Sequence, residues 1–272
     1  MPRNNKVPRR LAQRYFREIR QLIEEDKKRT WEAFREEIRP RIHQHRRMIT
    51  NNRLVTNDAM DDINRVLDRL RETAMEETFN EGKVRRIAAR FVEALNDRQR
   101  RGFAEQVKKL AGFDPTTREP WLQSFMKTAV EENVSHIKSI AREYHEDVET
   151  IVRQGVRRGT SINDMAKGIS EKGNVGIKKG RFIARDQLGS LHGDLTKTRQ
   201  RRLGLKKFRW VTSVDERVRD SHASLHDQIF TWKDGARNER GEQIWPGTDY
   251  NCRCSAETVV EELEEKKDEY VA

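Results

Sequence analysis

Apolar runs are short throughout this sequence, and none approaches the ~20 residues that a membrane-spanning helix requires. The amino terminus lacks the apolar h-region of a secretory signal, so a cytoplasm-like compartment is expected. Cysteine is nearly absent, with two residues in 272. That excludes a disulfide framework, and in a reducing compartment both thiols are expected free. Aromatic residues make up 7% and hydrophobic residues 34%, less than the 37% that are charged. A core made of so little apolar material is thin for the length, which suits long solvated helices or a subunit that completes its burial against partners. The length allows one or two domains. Enzyme signatures are missing as well: there is no Gly-rich phosphate loop, no His-Glu-x-x-His and no nucleophile elbow. No helix-turn-helix signature and no fixed-period repeat stands out.

What the chain has in abundance is charge, with a net value of +11. Residues 1–50 carry fifteen Lys and Arg against seven acids, and residues 176–209 carry eleven against two. From 257 to 272 the sign reverses, with seven acids and two lysines. Basic blocks of this kind attract polyanions, nucleic acid foremost. Neither block interleaves the aromatic platforms of single-strand binders, so contacts to a phosphate backbone would be independent of sequence and sensitive to salt. Lys178, Lys179, Arg181, Arg199, Arg201, Arg202, Lys206 and Lys207 form the candidate DNA-binding cluster; the plainer alternative is solubility charge on a helix face.

Helical periodicity dominates the pattern. Leu11, Tyr15, Ile19, Leu22, Ile23, Phe34 and Ile38 predict a helix over 9–39 that Pro40 ends, with a polar basic linker over 41–52. Asn57 is placed to cap a second helix, striped by Ile63, Val66, Leu67 and Leu70, that stops at Gly82. A third runs through Ile87, Phe91 and Leu95, resumes after Gly102, and ends at the break of Gly112 to Pro115. Pro120 opens a long helix ending near Gly155. After Gly159-Thr160-Ser161 come a short helix, a loop over 173–180, and a basic helix over about 178–202. Strand character appears only at 208–211, 229–232 and 254–260. The expected fold class is α+β and predominantly helical, with long charged helices ahead of a small carboxy-terminal α+β module. Its expected segments are a basic arm over 1–56, a helical body over 57–175, the module over 176–260 and an acidic tail over 261–272.

The scarce residue types gather in that module. Trp210-x-Thr212-x-x-Asp215-x-Arg217-Val218-Arg219-x-x-His222-x-x-Leu225, then Pro246-Gly247 and Asn251-Cys252-Arg253-Cys254, resembles the phage head-morphogenesis family, the Mu F-like minor head proteins of tailed bacteriophages. The resemblance covers about 183–257. It implies a structural protein of the phage head, in the virion interior and in host cytoplasm during assembly. Implied partners are the portal protein, other capsid components and packaged double-stranded DNA, with no membrane and no catalytic residue. Asp215 is suited to cap a short helix, Arg217 and Arg219 to fix the turn and to point outward, and Pro246-Gly247 to turn the chain into its last strand. Trp210 and Trp232 supply large apolar area.

His222, Cys252 and Cys254 admit a second chemistry. Thiolates and imidazole suit zinc, with His226 or Asp215 as a fourth ligand, although Cys-x-Cys is not the usual knuckle spacing. The alternative is that all three are satisfied core groups, with no cofactor. A metal-dependent nuclease or other hydrolase using His222 and Cys252/Cys254 is the competing functional reading.

Overall fold

The computed structural model describes residues 7–50, 58–213 and 218–263. Six long or medium helices come first: α1 Arg9–Ala33, α2 Arg39–Thr50, α3 Asp58–Thr73, α4 Glu81–Ala111, α5 Leu122–Arg158 and α6 Ile162–Arg202. The α+β part follows, with β1 Lys207–Val211, α7 Asp220–Ala223, β2 Ile229–Thr231, β3 Ala236–Arg237, β4 Gln243–Ile244 and β5 Ser255–Thr258. The fold class read from the sequence is therefore the one observed. No helix among the described residues is long and apolar enough to cross a membrane.

The chain divides into two compact units that do not follow the expected consecutive segments. One comprises Phe16–Ala88 and Glu131–Ile183; the other comprises Met1–Tyr15, Ala89–Val130 and Ala184–Ala272. In the first, Phe34, Ile38, Ile42, Ile63, Leu67, Leu70, Val148, Val152, Met165 and Ile169 make one core. Ile19, Leu22 and Ile23 of the first helical stripe are 0%, 2% and 4% exposed within this chain. A buried pair, His145 Nε2 to Asp26 Oδ1 at 3.0 Å, lies in the same unit.

Several expected boundaries move. Pro40 does not end its helix: residues 34–38 form a π-helical turn, and α2 continues to Thr50 through what was expected to be a linker. The wider turn absorbs the proline, which cannot donate a backbone N–H. The Arg41 guanidinium donates to the Glu37 carbonyl at 2.7 Å, and Ile42 is buried. Asn57 lies outside the described residues. Gly82 and Gly102 both sit inside α4, and the break falls earlier, at Asn80. Its Oδ1 accepts from the Gly82 and Lys83 amides at 3.0 and 3.3 Å, an N-cap. The break after Ala111 is where the pattern put it, with Gly112 at φ +84°.

The largest departure is α6, a single 41-residue helix where a short helix, a loop and a second helix were expected. Ser161 caps it through the Asp164 amide at 3.0 Å, and its hydroxyl donates to the Asp164 carboxylate at 2.6 Å. Its glycines serve close approach rather than turning. A Cβ at Gly180 would stand 3.1 Å from both Ile19 and Ile23 of α1, and one at Gly173 2.8 Å from the Lys27 side chain.

In the second unit β1 is the central strand of an antiparallel sheet in the order β2-β1-β5, with Phe208 opposite Phe230 and Trp210 opposite Ala256. Phe208 and Trp210, two residues apart, share the buried face at 0% exposure. They pack with Trp232, Ala236, Ile244, Cys252, Cys254 and Ala256. Gln200 of α6 ties the sheet down: it accepts from the Trp232 indole at 3.1 Å and donates to Thr258 at 3.2 Å.

Candidate functional site

The segment from Trp245 to Cys254 lies directly on α6. Ideal Cβ atoms at Gly189 and Gly193 would fall 2.3 Å from the Cys252 carbonyl oxygen and 2.2 Å from the Pro246 carbonyl oxygen, so only glycine lets the loop seat there. Ser190 donates to the Gly247 carbonyl at 3.3 Å, and Asp186 accepts from the Asn251 amide at 2.9 Å. Asn251 and Gly247 take positive φ values of 54° and 94°, a conformation that suits these residue types. The Lys197 ammonium stands 3.6 Å from the Trp245 ring centroid.

This loop brings Cys252 and Cys254 to His222 on α7. Each sulfur is 3.6 Å from His222 Nδ1, and the three ligand atoms lie within 4.8 Å of one another. The residues are 4%, 3% and 3% exposed. On the far side of the ring, Nε2 donates to Asp249 Oδ2 at 3.0 Å. Asp249 also accepts from Arg219 Nη1 at 2.8 Å, and the same guanidinium donates to the Tyr250 carbonyl. Trp210 meets the His222 ring edge-on, with centroids 5.6 Å apart.

The electrostatics are uneven across the trio. A hydrogen bond from the Cys254 thiol, followed by others from His222 and from backbone amides, holds Cys252 well below the ordinary thiol range against the effect of burial. Cys254 is pushed far up, first by that same hydrogen bond to Cys252 and then by desolvation. The contact with Cys252, more than the one with Asp249, raises His222.

The motif residues read from sequence divide clearly. Trp210, Arg219, His222, Pro246, Asn251, Cys252 and Cys254 are brought together. Asp215 and Arg217 lie outside the described residues. His226 is not part of the cluster: its Nδ1 accepts from the Thr212 amide at 3.1 Å and its Nε2 is 3.5 Å from Asp227. Sequence reasoning assigned no role to Asp249, which orients the imidazole. A carboxylate three residues before a Cys-x-Cys and downstream of a lone histidine is the signal that was there to follow.

The basic cluster requires one correction. Arg199 is not a surface cation: its side chain is 1% exposed and Glu119's 7%. Nε and Nη2 donate to the two Glu119 oxygens at 2.7 and 2.9 Å, and Asn96, Gln99 and the Trp121 ring complete the cage. A guanidinium taken so fully out of water needs its fixed partner, and it cannot reach a phosphate. In the same unit Arg201, Arg202, Lys206 and Lys207 are exposed. In the other unit Lys178 is exposed, Lys179 is held by Glu143 and Ser139, and Arg181 lies over the Phe16 ring at 5.1 Å. Of the acidic tail, Glu262 is described: its carboxylate accepts from the Lys206 and Lys207 amides, both at 2.8 Å.

Comparison with known proteins bears on the same segment. A family model described as Phage Mu protein F like protein matches residues 146–257, opening well before the region that the motif alone delimits. An uncharacterised protein of Haemophilus influenzae is 39% identical over 133 residues, 49% of this chain and 29% of its own length. An uncharacterised protein of Methanocaldococcus jannaschii is 30% identical over 122 residues, 44% of this chain and 18% of its own length. The chain thus spans less than a third of either relative. No solved structure matches it. Over residues 146–257, from the end of α5 into β5 and including the Trp210, His222 and Cys252/Cys254 cluster, the chain is similar to the Phage Mu protein F like family.

Proposed function

We propose that this protein is a minor head protein of a tailed bacteriophage. In this reading it acts as a structural part rather than a catalyst, is held in the head near the portal, and touches packaged double-stranded DNA without reading its sequence. The Mu F-like match over 146–257 is the observation that carries the reading. The net charge of +11 supports the DNA contact, because phosphate neutralisation by Lys and Arg supplies most sequence-independent affinity. Exposed cations on both units suit it, while the buried Arg199 takes no part. The portal and other capsid proteins are the partners, the virion head interior is the final location, and host cytoplasm is the site of assembly.

The test is co-expression with the portal, scaffold and major capsid genes of a tailed phage that encodes this protein, followed by sedimentation of assembled heads. The protein is expected in the head fraction, in proportion to portal, and lost from it when portal is omitted. Heads that assemble with portal but without this protein, while it stays folded in the soluble fraction, overturn the reading.

A further inference from the structure

We infer that His222 Nδ1, Cys252 Sγ and Cys254 Sγ together bind one zinc ion. This inference stands apart from the phage-head reading and depends only on the site's geometry. Zinc holds thiolate sulfur at about 2.3 Å and imidazole nitrogen at about 2.0–2.1 Å, which at the tetrahedral angle separates N from S by about 3.6 Å. Both sulfurs lie 3.6 Å from Nδ1. Both contacts therefore match a single cation held between Nδ1 and the two sulfurs.

The surroundings are those of a metal centre. Asp249 is an acceptor, so the proton of a neutral imidazole sits on Nε2, and the Nδ1 lone pair faces the sulfurs. A carboxylate behind a ligating histidine is the usual second layer of a zinc site, and here Arg219 in turn fixes the carboxylate. Cys252 and Cys254 are two apart in the irregular segment that leads into β5, and both sulfurs reach His222. The Cys254 amide stands 3.4 Å from the Cys252 sulfur. The Trp210 indole N–H, buried and without a hydrogen-bond partner, belongs to the same packed cluster as both cysteines. Two thiolates, a neutral imidazole and Zn²⁺ sum to zero charge, so the complete set can be buried without net charge. On binding, any proton still held by a ligand sulfur or by Nδ1 passes to solvent as the bond to zinc forms, and no oxidant is needed. Three protein ligands leave one tetrahedral position for water or another donor. The ion would pin the last strand and its loop to α7.

Full-length protein, purified under reductant and without chelator from zinc-supplemented cells, is expected to carry about one zinc per chain by mass spectrometry of the metal. Reconstitution with Co²⁺ is expected to give a sulfur-to-cobalt charge-transfer band and tetrahedral d–d absorption. His222→Ala and Cys254→Ser should each abolish the band, while Asp249→Asn should keep it with affinity lowered about 10–100-fold. Circular dichroism identifies any variant that fails to fold, and for such a variant the wild-type cobalt spectrum remains decisive. Folded wild-type protein without zinc and without the charge-transfer band, with both thiols free or joined in a disulfide, overturns the inference. Undiminished zinc binding by folded Cys254→Ser does the same.

Discussion

At Arg199 the deciding quantity is solvation. The guanidinium has both Glu119 oxygens at hydrogen-bond distance and almost no access to water. Breaking such a pair on one side strands the other charge, which typically costs about 3–5 kcal/mol, whereas replacing both by apolar groups can be nearly neutral. Glu119→Gln is therefore expected to lower unfolding free energy by about 3–5 kcal/mol in a denaturant titration, and Glu119→Leu with Arg199→Met to recover most of it. A loss below ~1 kcal/mol for the single variant would mean the pair is solvated after all. A second buried group, His192, has its pKa pushed down to about 4 by burial, with the Arg98 charge adding to it. The unfolded chain therefore binds one more proton than the native one between about pH 4 and 6.5. The stability contributed by neutral His192 is full above that window and is lost as pH falls through it. The expected span is roughly 3 kcal/mol. His192→Gln should flatten this limb of a plot of melting temperature against pH. A plot that keeps its slope would assign the acid sensitivity to other groups.

Among the elements, α6 shows how context reverses a local signal. Six glycines stand between 168 and 193, each less favourable in a helix than alanine by roughly 1 kcal/mol, and the stretch 173–180 read as a loop. They stand in helix because neighbours come too near for a side chain: Ile19 and Ile23 at Gly180, the Cys252 carbonyl at Gly189, the Pro246 carbonyl at Gly193. Gly193→Ala is therefore expected to destabilise by about 1–3 kcal/mol or more, despite its better helix propensity, because backbone must move. Gly112→Ala meets no atom within 4 Å and bears only the left-handed backbone at φ +84°, about 1–2 kcal/mol. Thermal melts of both in the full chain make the comparison. A stabilised Gly193→Ala would show that the loop does not rest on the helix. Pro40 teaches the converse, since a strong stop signal was overridden by widening one turn, with Ile38 and Ile42 buried on either side.

For the whole molecule, net charge governs association with polyanions more than it governs the fold. The logarithm of affinity for duplex DNA is expected to fall linearly with the logarithm of salt concentration, with a slope of about −0.9 for each phosphate neutralised. Replacing exposed Arg201, Arg202, Lys206 and Lys207 by Gln should make that slope shallower by up to about 3.6. Lys179→Gln, whose ammonium is already held by Glu143 and Ser139, should change it little. A slope unmoved by the fourfold variant would place the DNA contact elsewhere or remove it.

By itself the amino-acid sequence determined the helical character, the late onset of strands at 207–211, 229–231 and 255–258, and the clustering of Trp210, His222 and the two cysteines. These rest on local periodicity and on rare residue types within a short span, which survive without knowledge of packing. Tertiary structure alone decided that Pro40 and the stretch 173–180 of α6 lie inside helices, that Arg199 is a core ion pair, and that Asp249 orients His222. Each of these depends on a partner distant in sequence: Ile19 for Gly180, Glu119 for Arg199, His222 for Asp249. Burial and close approach are properties of two surfaces together, and a linear pattern records only one of them.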